Sequence, residues 1–231
     1  MNSQPQNTAK RPLMWRIGDW FEERLQWREP WRDQANQIVP IHATNWIYCL
    51  GGLTFLMFCI QVVSGILLLI YYKPTATEAY NSVKFISIEV QFGWFIRSVH
   101  TWCANLFVLF LMLHSARVFF TGSYKAPREM TWVSGVILLI IGLGFGFTGY
   151  LLPWDQIAYW ATTVGTDMTR SVPPQALGEM ILTILRGGAT VSGDTITRFF
   201  AVHVMVLPVI SLILLIAHFL MIRKQGISHP L

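Results

Sequence analysis

Residues 94–120 read WFIRSVHTWCANLFVLFLMLHSARVFF, and residues 199–222 read FFAVHVMVLPVISLILLIAHFLMI. Each stretch is long and apolar enough to cross a bilayer as a single helix. Each also carries two histidines: His100 and His114, 14 positions apart, and His203 and His218, 15 apart. At about 100° per residue, 14 steps fall about 40° short of four turns and 15 overshoot by about 60°. The members of each pair therefore lie near one helix face, about 21 or 22 Å apart along the axis. Two such helices side by side offer imidazoles at two levels. Two bis-histidine haems stacked across a membrane would require that arrangement, histidine being a standard axial ligand of haem iron. The plain alternative is four unrelated core or pore histidines. Ionisable groups inside apolar spans are costly and usually functional, which favours the paired reading.

Composition fixes the class. Of 231 residues, 53% are hydrophobic and 13% charged, with mean hydropathy +0.46, a membrane-protein balance. The formal net charge of +5 does not indicate nucleic acid, because the basic residues are spread over loops that membrane topology explains. Cys49, Cys59 and Cys103 form neither a C-x-x-C nor a C-x-x-C-H motif. Zinc sites and ordinary two-cysteine haem attachment thus find no support. Residues 1–44 are polar, aromatic and basic, without the apolar core of a cleavable signal peptide.

Two further stretches reach spanning length, roughly Trp46–Tyr72 and Thr131–Leu152. With 94–120 and 199–222 they predict an all-α membrane protein, a four-helix transmembrane bundle over 45–231 behind an N-terminal segment, 1–44. Trp46, Tyr71, Tyr72, Trp94, Trp132 and Trp154 sit at segment ends, as interfacial aromatic belts do. Eleven Lys and Arg fall on the side of the termini and the 117–128 connection, against six on the other side. That places both termini in the cytoplasm, the negative side of the membrane. The two histidine-bearing segments then run in the same direction. His100 comes level with His203 near the positive face, and His114 with His218 near the negative face.

Glycines repeat at the same interval on the two segments that lack histidines. Gly51 and Gly65 are 14 apart, as are Gly135 and Gly149. Glycine leaves room for a bulky group to approach the backbone, and a flat macrocycle among four helices needs such room at both levels. Small-residue helix packing is the competing account, and Gly142, Gly144 and Gly146 fit it. Chain direction puts Gly65 and Gly149 with the upper histidines and Gly51 and Gly135 with the lower. Elsewhere, WRIGDWFEERLQWREPWR (15–32) predicts an amphipathic helix on the membrane surface. The connection 153–198 predicts short helices on the positive face, punctuated by Pro and Gly. Pro208 should distort the fourth span near a histidine.

The stretches DWFEERL, IYCLGG, FGWFIRSVH, RVFFTG, PREMTWVSGV, GYLLPWDQIAYW, TRFFAVH and HFLMIRKQGIS resemble the cytochrome b6 family, the dihaem subunits of cytochrome b6f-type complexes. The 15-residue interval between His203 and His218 resembles the b6 branch; in the mitochondrial branch the interval is one shorter. The resemblance implies two haems b, one held by His100 and His203 and one by His114 and His218, packed against Gly51, Gly65, Gly135 and Gly149. It implies a third, c-type haem held by a single thioether to Cys49, beside a negative-side quinone pocket. Arg97, Arg117, Arg223 and Lys224 become candidates for haem propionate or quinone contacts, arginine being suited to carboxylates.

The implied activity is that of a quinol–cytochrome c or plastocyanin reductase subunit. Quinol is oxidised near the positive face, one electron goes to a Rieske iron–sulfur protein and on to a c-type cytochrome, and the other crosses the membrane to a quinone. The chain contains no Pro-Glu-Trp-Tyr sequence, which in this family completes the quinol site. The ending at HPL agrees with a split arrangement in which a separate subunit IV-like membrane subunit carries that motif, within a homodimeric complex. Thr101 stands where plant members carry arginine, the N-terminus is longer through WREPWRD, AYWATTVGTDM departs from the family pattern, and Asp33 corresponds to an acidic residue near the negative-side pocket. These departures lean towards a bacterial cell membrane rather than a thylakoid, and towards menaquinone. The main rival is a dihaem anchor of another quinone-linked enzyme, such as a hydrogenase or formate dehydrogenase. A non-redox transporter or scaffold is the other class.

Overall fold

A computed structural model describes residues 12–25 and 45–226; Asp33 and the WREPWRD segment lie outside the described residues. Among those residues the chain is helical, without strands. The first helix, α1 (Leu13–Leu25), carries Leu13, Ile17, Trp20 and Phe21 on one face. All four are exposed in the isolated chain, as a surface-lying helix requires. Four helices have the length and hydropathy of membrane spans: α2 (Leu50–Leu69), α4 (Gly93–Phe120), α5 (Glu129–Leu151) and α8 (Gly193–Gln225). Outward side chains such as Val63, Ile66, Ile140 and Ile213 remain more than half exposed. Such a surface is stable only against lipid or partner helices.

Helix α2 lies along α4, α4 along α5, and α5 along α8. Phe55 meets Phe219 edge-on, with ring centroids 5.1 Å apart, and so joins α2 to α8. At the upper end, Tyr72 Oη donates to Leu152 O at 2.7 Å, tying the end of α2 to the end of α5. At the lower end, Gln225 Oε1 accepts from Thr131 Oγ1 at 2.9 Å while its Nε2 donates to Pro127 O at 3.1 Å. Tyr72 at one end of the bundle and Gln225 at the other thus have their polar atoms paired across helices.

Two boundaries differ instructively from the hydropathy reading. Helix α2 begins at Leu50, because residues 46–49 form a turn, and Cys49 becomes its N-cap. The fourth span begins six residues before Phe199, at Gly193. Ser192 and Thr195 build a capping box there: Asp194 N donates to Ser192 Oγ at 3.3 Å, and Ser192 N donates to Thr195 Oγ1 at 2.9 Å. The polar turn GDTITR hid that start from a hydropathy reading.

Within α8, Val202–Val206 is a π turn in which Leu207 N donates to Val202 O. Proline at 208 has no N–H to give to a regular α ladder, and the wider turn takes up the distortion. A π turn accommodates one extra residue in an α-helix. The 15-residue interval from His203 to His218 therefore turns as 14 residues would, and the expected 60° overshoot disappears.

The connection between α5 and α8 holds α6 (Gln156–Asp167) and α7 (Gln175–Arg186), with a 3₁₀ turn between them; α3 (Ala79–Ile88) lies within the α2–α4 connection. Asp155 Oδ1 caps α6 by accepting from Ala158 N at 2.8 Å. Two glycines are dictated by geometry. Gly187 ends α7 at φ +81, and a Cβ on Gly93 would come within 2.0 Å of Ile86 O. Arg186 looked like an ordinary loop charge, but it is only 4% exposed. Its guanidinium donates to Thr166 Oγ1 and Thr163 O, both at 2.7 Å, and pairs with Asp167 at 3.0 Å. Its own carbonyl accepts from Thr195 Oγ1 at 2.8 Å. One residue thus joins α6, α7 and the start of α8.

Asp167 is two-fifths exposed, so its ion pair is screened and the hydrogen bonds carry most of the effect. Arg186→Ala should weaken this junction by about 2–3 kcal/mol. Hydrogen–deuterium exchange should quicken across residues 156–186 and stay unchanged in α2 and α4; unaltered exchange in 156–186 would contradict the clamp.

Candidate functional site

Each of the four histidines lies against one of the four glycines. A Cβ built on Gly65 would sit 3.3 Å from His100 Cε1, and one on Gly149 would sit 2.8 Å from His203 Cε1. On Gly51 the distance to His114 Cε1 would be 2.9 Å, and on Gly135 the distance to His218 Cε1 would be 3.3 Å. Helix α2 thus faces α4 at both levels, and α5 faces α8 at both levels, as antiparallel neighbours. Across the bundle, His100 and His203 lie within electrostatic reach of each other, as do His114 and His218. Imidazoles from α4 and α8 therefore share two levels of the bundle, with glycine backbone on the flanking helices.

The residues preceding three of these glycines supply a feature that sequence reading missed. Ser64 Oγ lies 2.8 Å from His100 Nδ1, Thr148 Oγ1 2.9 Å from His203 Nδ1, and Ser134 Oγ 2.8 Å from His218 Nδ1. Each hydroxyl also donates to a carbonyl of its own helix: Ser64 to Ile60 O at 2.6 Å, Thr148 to Gly144 O at 2.7 Å and Ser134 to Thr131 O at 2.9 Å. A hydroxyl has one hydrogen. With that hydrogen committed to the helix, the oxygen accepts from the imidazole, so Nδ1 carries the proton. Nε2 is left with its lone pair, the state a metal ligand needs. The signal lay in the recurring Ser-Gly and Thr-Gly dipeptides at 64–65, 134–135 and 148–149. His114 differs: Leu50 precedes Gly51, and His114 Nδ1 is buried without a hydrogen-bond partner among the described residues. On the other side of the upper pair, Gln61 Nε2 donates to His100 O at 2.5 Å and fixes α2 against α4.

Between the levels lies an aromatic layer. Phe58 packs near Phe107 and Phe145, with centroids 6.2 and 6.1 Å away, and Phe145 meets the His203 ring edge-on at 5.6 Å. A Cβ on Gly142 would come within 2.4 Å of Leu111 Cδ2, so this glycine serves helix packing.

The remaining candidates fall at the rims. Cys49 is exposed at the start of α2, two residues before the glycine that faces His114. Arg117 lies over the Tyr48 ring, 4.8 Å from its centroid, and so covers the same corner. Arg97 donates to Ser87 Oγ on α3 at 3.1 Å and stays exposed at the upper rim. Arg223 and Lys224 lie in the last turn of α8, at the opposite rim.

Among the described residues no three or more His, Cys, Asp or Glu side chains converge as a metal cluster. Two imidazoles per level, with free Nε2 atoms and glycine openings, instead suit a macrocycle that brings its own four equatorial ligands. Fold and site together define a membrane-spanning helical bundle of the dihistidine type. The family model described as Cytochrome b/b6/petB matches residues 35–226. Cytochrome b6 of Euglena gracilis and of Porphyra purpurea are each 50% identical over 218 residues, covering 94% of this chain and all of theirs. A solved structure titled "Hyperthermophilic respiratory Complex III" superposes with a TM-score of 0.78 at 34% identity, over 92% of this chain and 56% of that one. The chain belongs to the cytochrome b/b6 family, whose defining cofactor is haem b.

The four glycine contacts rank the effect of an added methyl group. Gly149→Ala and Gly51→Ala place it under 3.0 Å from an imidazole carbon, whereas Gly65→Ala and Gly135→Ala leave 3.3 Å. Pyridine-haemochrome quantitation should show the larger haem loss for the first two; equal retention in all four variants would contradict the close approach.

Proposed function

We propose that this chain is the dihaem electron-carrying subunit of a quinol–cytochrome c or plastocyanin reductase, with His100 and His203 ligating one haem b and His114 and His218 the other. The observation that carries the reading is the four-fold juxtaposition of a histidine ring with a glycine, at two levels of one bundle. The haems, when bound, supply one-electron exchange. The chain supplies imidazole nitrogens in the correct tautomer, an apolar surround, and a fixed rise of about 21 Å between levels. The hydroxyls of Ser64, Thr148 and Ser134 keep the rings oriented, and the aromatic layer keeps water out between levels. Similarity to the cytochrome b6 of Euglena gracilis, 50% identical over 94% of this chain, supports this reading over a hydrogenase or formate dehydrogenase anchor.

The finer assignments rest on the same reading. Cys49 holds a third, c-type haem by one thioether, supported by its exposure at the α2 N-terminus near the lower level. Arg117 and Arg223, with Lys224, serve the negative-side haem or quinone, and Arg97 serves the upper propionates. The quinol is menaquinol, and the membrane is a bacterial cell membrane with both chain termini on the cytoplasmic side. The working assembly is a homodimer of complexes with a subunit carrying the Pro-Glu-Trp-Tyr motif, a Rieske protein and a c-type cytochrome.

In the purified complex, His100→Ala should abolish the upper b haem and spare the lower one, and His114→Ala should do the reverse. A histidine variant that keeps both haems would overturn the assignment. Haem staining after denaturing electrophoresis should mark this chain and fail in Cys49→Ala; an unstained wild-type band would refute the thioether while leaving the two b haems standing.

A further inference from the structure

The hydroxyl partners of the four histidines are distributed unevenly. At the upper level both rings are held, His100 by Ser64 and His203 by Thr148. At the lower level only His218 is held, by Ser134, and His114 Nδ1 is left without a partner among the described residues. The position that would complete the set is Leu50. It precedes Gly51 as Ser64 precedes Gly65, 14 residues on, and its side chain is buried. The pattern is therefore three hydroxyls and one deliberate gap in an otherwise repeated hydroxyl–glycine pair.

We infer that this two-against-one arrangement sets the direction of electron flow, making Ser64, Thr148 and Ser134 positioning residues that tune the cofactors, with Leu50 as the counterweight. The inference rests on the two-haem reading above. An imidazole whose Nδ1–H is donated to an oxygen acceptor gains imidazolate character and becomes a stronger donor through Nε2. A stronger donor stabilises the oxidised metal and lowers its reduction potential, second-shell hydrogen bonding being one of the protein's levers on haem. Two such bonds at the upper level and one at the lower give the upper site the lower potential. An electron delivered at the positive face then runs downhill towards the negative face. Fixed cations lie at both levels, Arg97 three residues before His100 at the upper one and Arg117 three residues after His114, with Arg223 and Lys224, at the lower one; the hydroxyl variants leave all of them in place and so read the hydroxyl contribution alone.

Potentiometric titration of the two b haems in the intact purified complex tests this, with low-spin electron paramagnetic resonance to follow each haem. Ser64→Ala and Thr148→Val should raise the potential of the upper haem alone, and Ser134→Ala that of the lower haem alone. Ser64→Thr and Thr148→Ser, which keep the hydroxyl, should restore the wild-type values. Leu50→Ser should lower the lower haem's potential and narrow the gap between the two. Haem-replete hydroxyl-deletion variants with unshifted potentials would overturn the inference, as would shifts of equal size at both haems. Those outcomes leave the dihaem reading intact, because the wild-type complex still shows two haems; a wild-type complex without b haem would overturn both.

Discussion

The structure depends on bringing an imidazole from α4 to the same level as one from α8, inside an apolar bundle, with no side chain intervening from α2 or α5. Burying a polar ring without hydrogen-bond partners is unfavourable. Three of the four rings resolve this by donating to a hydroxyl whose own hydrogen is spent on its helix. Glycine at the next position lets the ring approach the backbone. The hydroxyl–glycine dipeptide therefore solves two problems in adjacent residues: it holds the tautomer and clears the space. The bundle ends, clamped by Tyr72 to Leu152 and by Gln225 to Thr131, keep the helices in the register that makes these contacts coincide.

Much of this was legible in the sequence because its cause is periodic. Apolar length gave the four spans, lysine and arginine gave a relative direction, and the shared interval of 14 linked each glycine to a histidine. What was not legible depends on tertiary geometry. The π turn at Val202–Val206 cannot be read from hydropathy, although Pro208 marked the place where a regular ladder had to fail. The polar start of α8 at Gly193 was hidden because its residues face the loop network rather than lipid. Arg186 looked like one more topology charge; only the folded connection puts its guanidinium among Thr163, Thr166 and Asp167. Ser64, Ser134 and Thr148 were overlooked because hydroxyl residues are common in membrane helices and commonly bond their own backbone. Their placement beside glycine was the unused signal.

Membership of the cytochrome b/b6 family agrees with an architecture in which the protein contributes ligands, orientation and electrostatics while the cofactor contributes the redox chemistry. Helices α6 and α7 close the upper end through the Arg186 junction. They lie at the His100–His203 end of the bundle. The lower end is different in kind: Cys49, Arg117 and the unsupported His114 gather at the start of α2. The two ends are thus chemically unlike although the bundle between them is nearly repetitive.

The central claim is paired histidine ligation at both levels of one chain. Near-infrared magnetic circular dichroism of the purified, oxidised complex, read together with b haem per chain from the pyridine haemochrome, tests it most directly. The account predicts two low-spin b haems per chain, each contributing the charge-transfer band of bis-imidazole ligation. A single b haem per chain, or the absence of the bis-imidazole band, would contradict it.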